Sequence, residues 1–132
     1  MKYILDTNIC IYIIKRKPQA VIDRFLQTEI SQIGISSITL SELLFGVSKS
    51  SKPDQNKIAL AQFVAPLEIT AYDHQAAQYY GDLRAYLERQ GKPIGSLDML
   101  IAAHALSINS TLVTNNVKEF ARIPDLKIAN WV

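Results

Sequence analysis

The chain has 132 residues, 48% of them hydrophobic and 20% charged, which suits one globular domain over residues 1–132 with a real core. No apolar run reaches the length of a membrane span, because Lys15, Arg16 and Lys17 close the first one early. No basic-then-apolar leader is evident, and the lone cysteine, Cys10, excludes a disulfide framework within the chain, so the cytoplasm is the expected compartment. The formal net charge of +2 permits an anionic partner without requiring one.

In chain order, "YIL" at 3–5 reads as a short buried strand. Residues 9–15 and 18–28 read as helices, with Pro18 at a first helical position. "IGIS" at 33–36 is a second strand. "TLSELLFGVSK" carries Leu40, Leu43, Leu44 and Val47, the i, i+3, i+4, i+7 stripe of an amphipathic helix. Pro53 to about Ala65 is another helix, and "LEI" at 67–69 a third strand. The longest helix follows, with Ala76, Tyr80, Leu83 and Leu87 on one face and Gly91 as its stop. "SLDMLIAAHALSI" is a helix opened by Ser96, rich in small residues suited to tight packing. "TLV" at 111–113 is a fourth strand, a short helix covers 117–121, and "LKI" at 126–128 is the fifth strand. Alternating strands and helices predict an α/β fold, with a mainly parallel sheet and helices on both faces. Sites in such sheets form at the carboxyl ends of the strands.

Three acids stand in comparable contexts. Asp6 follows the first strand, Glu42 lies in the early turns of the helix after the second, and Asp98 lies in the first turn of the helix opened by Ser96. Each has a structural explanation: Asp6 as a helix N-cap, Thr39 with Glu42 as a T-x-x-E capping box, and Asp98 as a complement to a helix dipole. Capping alone does not explain why each is flanked by apolar sequence on both sides. Carboxylates gathered at one sheet edge would repel and raise one another's pKa, which a divalent cation relieves. Oxygen ligands without suitable His or Cys point to magnesium and phosphoryl chemistry. His104, among alanines in a helix, reads as a packing residue. No P-loop, dinucleotide fingerprint or G-x-S-x-G elbow is present.

Four segments carry a family resemblance: "ILDTNICIYIIKRKP", "SSITLSELLFG", "GKPIGSLDMLIAAHALS" and "TLVTNNVKEFARIPDLKIANW". In order and spacing they resemble PIN-domain ribonucleases, and more closely the VapC-type toxins of bacterial type II toxin–antitoxin pairs. The resemblance spans essentially the whole chain. It implies the PIN fold and a magnesium-dependent endoribonuclease, with manganese able to substitute. Asp6, Glu42 and Asp98 match the family's core acidic positions, Asp6 and Asp98 as metal ligands and Glu42 as holder of the metal or its water. Thr7 and Asn8 would orient the first carboxylate, and Thr114 would support the far side. Many PIN domains carry a fourth acid after the fourth strand. Here Asn116 occupies the aligned position, and Glu119 is the nearest acid able to replace it.

The resemblance further implies a structured RNA target, with a tRNA anticodon loop, initiator tRNA included, as the leading candidate. It implies a VapB-type antitoxin lying in an apolar groove lined by the helices around 18–28 and 53–65. It also implies a homodimer, a higher-order toxin–antitoxin complex, and operator DNA contact through the antitoxin only. Two rivals stand beside this reading. A haloacid-dehalogenase-type phosphatase would need a second Asp where Asn8 stands. A catalytically weak PIN-like module would bind RNA or protein without cutting.

Overall fold

The computed structural model describes residues 1–132. Five strands form one parallel sheet: β1 (Tyr3–Leu5), β2 (Ile33–Ser36), β3 (Glu68–Thr70), β4 (Thr111–Val113) and β5 (Ile128–Ala129), in spatial order β3-β2-β1-β4-β5. The seven α-helices are α1 (Thr7–Lys15), α2 (Gln19–Gln27), α3 (Ser37–Ser48), α4 (Pro53–Val64), α5 (His74–Arg89), α6 (Ser96–Ser107) and α7 (Val117–Phe120). A 3-10 turn at Ile30–Gln32, unanticipated in the sequence, leads into β2.

Strand alternation divides the core in two. Ile4 and Leu112 point to one face, where they pack with Leu83, Leu87 and Met99 of α5 and α6. Leu5, Ile35 and Val113 point to the other, where they pack with Ile9, Val21, Leu43 and Leu60 of α1 to α4. Such alternation puts successive side chains on opposite faces, and a parallel sheet covered on both faces needs apolar residues at every strand position. Cys10 is a fully buried free thiol, as its surroundings in the sequence imply. Trp131 closes the second core, 2% exposed and edge-on to Tyr3 with ring centroids 5.5 Å apart. No helix is long and apolar enough to cross a membrane.

Several boundaries differ from expectation. α1 starts at Thr7 rather than residue 9, and α3 at Ser37, because the strands feed these helices with no linker. Asp6 leaves β1 and accepts from the Ile9 N–H at 2.9 Å; Ser36 ends β2 and accepts from the Ile38 N–H at 3.0 Å. Both are N-caps. The Thr39–Glu42 capping box therefore does not form. Thr39 already lies inside the first turn, its hydroxyl buried and unpartnered. Pro18 is the N-cap of α2, one position before the helix proper. β3 runs 68–70 rather than 67–69, fixed by the register Gly34↔Glu68, Ile35↔Ile69 and Ser36↔Thr70. β5 runs 128–129 rather than 126–128, because only Ile128 and Ala129 pair with β4, while Leu126 packs on the core from a loop.

Candidate active site

The strand order locates the crevice. From β1 the chain winds outward through β2 and β3, then crosses to β4 and β5 on the other side. The order reverses between β1 and β4, and ligands in open parallel sheets bind outside the carboxyl ends of the strands at such a reversal. Asp6 follows β1 and Thr114 follows β4. The register pairs Leu5 with Val113, and the Asp6 N–H donates to the Val113 carbonyl at 3.0 Å. The next residues on each strand, Asp6 and Thr114, thus stand side by side at the crevice.

Asp6 is only 7% exposed. Burial pushes its pKa up, because a charge held away from water is costly. The Thr114 hydroxyl and the backbone N–H groups of Ile9 and Asn8 oppose that shift by stabilising the ionised form. Asn8 thus supports the carboxylate through its backbone, at the positive end of α1. The side chains of Thr7 and Asn8 make no hydrogen bond to it.

Asp98, in the first turn of α6, is half-buried. Its pKa is raised first by burial, then by the charges of Glu119 and Asp6. Asp98, on α6, thus feels the acid after β1 and the acid of α7 across the crevice. Glu119 is held by Asn116, whose Nδ2 donates to Glu119 Oε2 at 3.2 Å. The Asn116 N–H in turn donates to Thr114 Oγ1 at 3.0 Å. A chain of contacts therefore runs Glu119–Asn116–Thr114–Asp6. Glu42 is half-buried on α3, at the wall of a cleft of about 430 Å³ between α1, α3 and α4.

No three His, Cys, Asp or Glu side chains lie close enough to enclose an ion by themselves. The carboxylates border an open edge rather than a cage. That donor set, all oxygen and mutually repelling, fits a hard cation that keeps several waters and meets a phosphate, and does not fit zinc.

A second, apolar groove of about 410 Å³ lies between α1, α2 and α4, lined by Ile13, Ile14, Ile22, Phe25, Leu26 and Phe63 among others. The helices expected to line a groove do so. It meets the Glu42 cleft at Ile14 and Ala59, which border both.

A PIN-domain family model matches residues 3–126. The chain belongs to the PIN-domain family. Within it, the relatives are VapC proteins. The chain is 49% identical to Ribonuclease VapC2 of Rickettsia felis, covering 99% of this chain and 98% of that one. It is 46% identical to the tRNA(fMet)-specific endonuclease VapC of Salmonella typhimurium, with the same coverage. Among solved structures, VapBC2 from Rickettsia felis bound to a promoter DNA fragment superposes with a TM-score of 0.93 at 48% identity, covering both chains completely. DNA-bound VapBC from Salmonella typhimurium gives 0.94 at 45% identity, over 100% of this chain and 99% of that one. The PIN fold and the VapC resemblance carried by the four sequence segments are both borne out.

As a PIN domain, the chain places three of its four candidate acids, Asp6, Asp98 and Glu119, in one electrostatic cluster, with Glu42 on a neighbouring wall. Sequence reasoning left Asn116 and Glu119 as alternatives; the structure joins them by a hydrogen bond. It missed the Ser36–His104 pair beneath α3 and α6. There His104 Nδ1 lies 2.7 Å from Ser36 Oγ, both residues buried. A serine at the end of an apolar strand was the only signal available for it.

Proposed function

We propose that this chain is the toxin of a type II toxin–antitoxin pair, a magnesium-dependent endoribonuclease confined to the cytoplasm. The observation that carries the reading is the Asp6 carboxylate at the strand-order reversal, raised by burial, beside Asp98, which is raised by burial and by the charges of Glu119 and Asp6. Repulsion between a buried carboxylate and half-buried neighbours is an unfavourable arrangement unless a cation answers it. Asp6 and Asp98 would hold magnesium, and manganese could take its place. The bound ion would polarise the scissile phosphate and favour ionisation of the attacking water.

The protein's own groups do the rest. Thr114 and the α1 N-terminus fix the Asp6 carboxylate. Asn116 fixes Glu119. Glu42 or Glu119 accepts the proton of the attacking water as its oxygen bonds to phosphorus. The 3′ oxygen leaves and takes up a proton, giving a 5′-phosphate and a 3′-hydroxyl. The RNA 2′-hydroxyl is not consumed.

The substrate is a structured RNA with an accessible loop, since unstacked loop bases are what side chains can read. The similarity to the tRNA(fMet)-specific endonuclease of Salmonella typhimurium favours an initiator tRNA anticodon loop. The apolar groove between α1, α2 and α4 would take the C-terminal segment of a VapB-type antitoxin, and Leu26, 74% exposed, offers an anchor there. The chain would act as a homodimer in a higher-order complex, with operator DNA bound by the antitoxin. The test is end analysis of cleaved tRNA: a 5′-phosphate is expected, and a 2′,3′-cyclic phosphate would overturn the mechanism.

A further inference from the structure

We infer that the cleft between α1, α3 and α4 is a backbone subsite for the RNA strand, in which Lys15 and Lys49 grip a phosphate beside the scissile one. The inference rests on the ribonuclease reading above and adds a location to it.

The cleft of about 430 Å³ starts at Glu42 and is bordered by Lys15 at the end of α1 and by Lys49, Ser50 and Asn56 across from it. The only salt bridge in the chain joins Arg84 to Glu88. Lys15 and Lys49 are both exposed and neither is in a salt bridge, although Glu42 borders the same cleft. Lys49 is held over the Phe45 ring with its ammonium 5.0 Å from the centroid, which limits where the charge can go. Asn56 Nδ2 donates to Ser50 Oγ at 3.0 Å, and Ser50 donates to the Val47 carbonyl at 2.6 Å. That leaves one amide hydrogen of Asn56 free to donate. Two unpaired cations and a fixed donor suit an anion rich in acceptor oxygens.

Position selects the anion. Lys15 lies nine residues along α1 from Asp6, about 13 Å at the helical rise. That is too far to touch the reacting phosphate and near enough to hold one further along the same strand. The neighbouring edge is acidic, so a polyanion needs a cationic hold outside it to approach at all. The groove next door is hydrophobic but for Arg16 and Gln62, carries one cation rather than two, and suits a peptide instead.

The test uses full-length Asp98→Asn protein, so that bound RNA is not cut, and a short fluorescent single-stranded oligoribonucleotide. Affinity is titrated against salt for this parent and for the same protein carrying Lys15→Gln, Lys49→Gln, both, or Lys127→Gln on the far edge of the sheet. Each phosphate that the protein no longer neutralises should lower the log–log salt slope by about 0.7. The expected result is a drop of about 0.7 for each single variant and about 1.4 for the double. Lys127→Gln should keep the parent slope, and Lys49→Arg should restore it. A double variant with the parent's slope would overturn the subsite while leaving the nuclease reading intact. A wild-type chain that neither binds nor cuts RNA would overturn both.

Discussion

Asn116 donates its side-chain amide to Glu119 at 3.2 Å, and Glu119 in turn is the larger of the two charges that raise Asp98. The amide of Asn116 thus holds the acid three residues on. Glu119→Gln should keep the hydrogen bond and lose the charge, lowering cleavage about 10²-fold or more if it takes the proton. Asn116→Ala should free the acid without removing it and cost about tenfold. Single-turnover cleavage at saturating magnesium checks both. Equal losses for the two variants would mean that Asn116 contributes more than orientation.

Asp6 has a raised pKa, so its ionised form weakens the fold at neutral pH, and that cost disappears once it is protonated or paired with a cation. Asp6→Asn keeps an oxygen for the Ile9 N–H and removes the charge. Without divalent ions at pH 7, the variant should melt a few degrees above wild type. Magnesium should raise the wild-type Tm and leave the variant unmoved. Thermal melts with magnesium and with EDTA measure all four values.

His104 is 1% exposed, bonded to Ser36 and edge-on to Tyr72 at 5.7 Å, and burial lowers its pKa although Asp73 pulls the other way. A lowered folded pKa means that the unfolded chain binds the proton more readily. Stability from the neutral imidazole is therefore complete above about pH 6.5 and declines as pH falls below it. His104→Gln should cost about 1–3 kcal/mol by disturbing a buried bond and should flatten the wild-type loss of stability between neutral and mildly acid pH. Denaturant melts across that range test the sign.

Gly34, in the middle of β2, has no room for a side chain. A Cβ there would lie 2.7 Å from the Glu68 carbonyl and also collide with the Met1 side chain. Gly34→Ala should cost about 1–3 kcal/mol, and hydrogen exchange should show the β2–β3 pairing loosened first.

Much of this molecule can be read from its sequence, and the exceptions have physical causes. "YIL", "IGIS" and "TLV" are central strands, apolar at nearly every position, so composition alone marks them at the observed bounds. β3 and β5 are edges, where one neighbour's register sets the ends and side-chain preference does not. Thr39 with Glu42 matches a capping box, yet Ser36 had already capped the helix one turn earlier. Asp6 is both the cap foreseen for it and the buried acid at the crevice, so the structural and chemical explanations of that residue hold together. In the Glu119–Asn116–Thr114–Asp6 chain the first two links are local, but the Thr114–Asp6 link was not legible, because it depends on β4 pairing beside β1, which no local pattern encodes.

The most direct test of Asp6 as a catalytic metal ligand is cleavage of total tRNA by purified wild-type and Asp6→Asn proteins, each with magnesium and with EDTA. Discrete fragments are expected from wild type with magnesium alone, and none in the other three reactions. Equal cleavage by the two proteins, or cleavage that survives EDTA, would contradict it and leave Asp6 as the cap of α1 and nothing more.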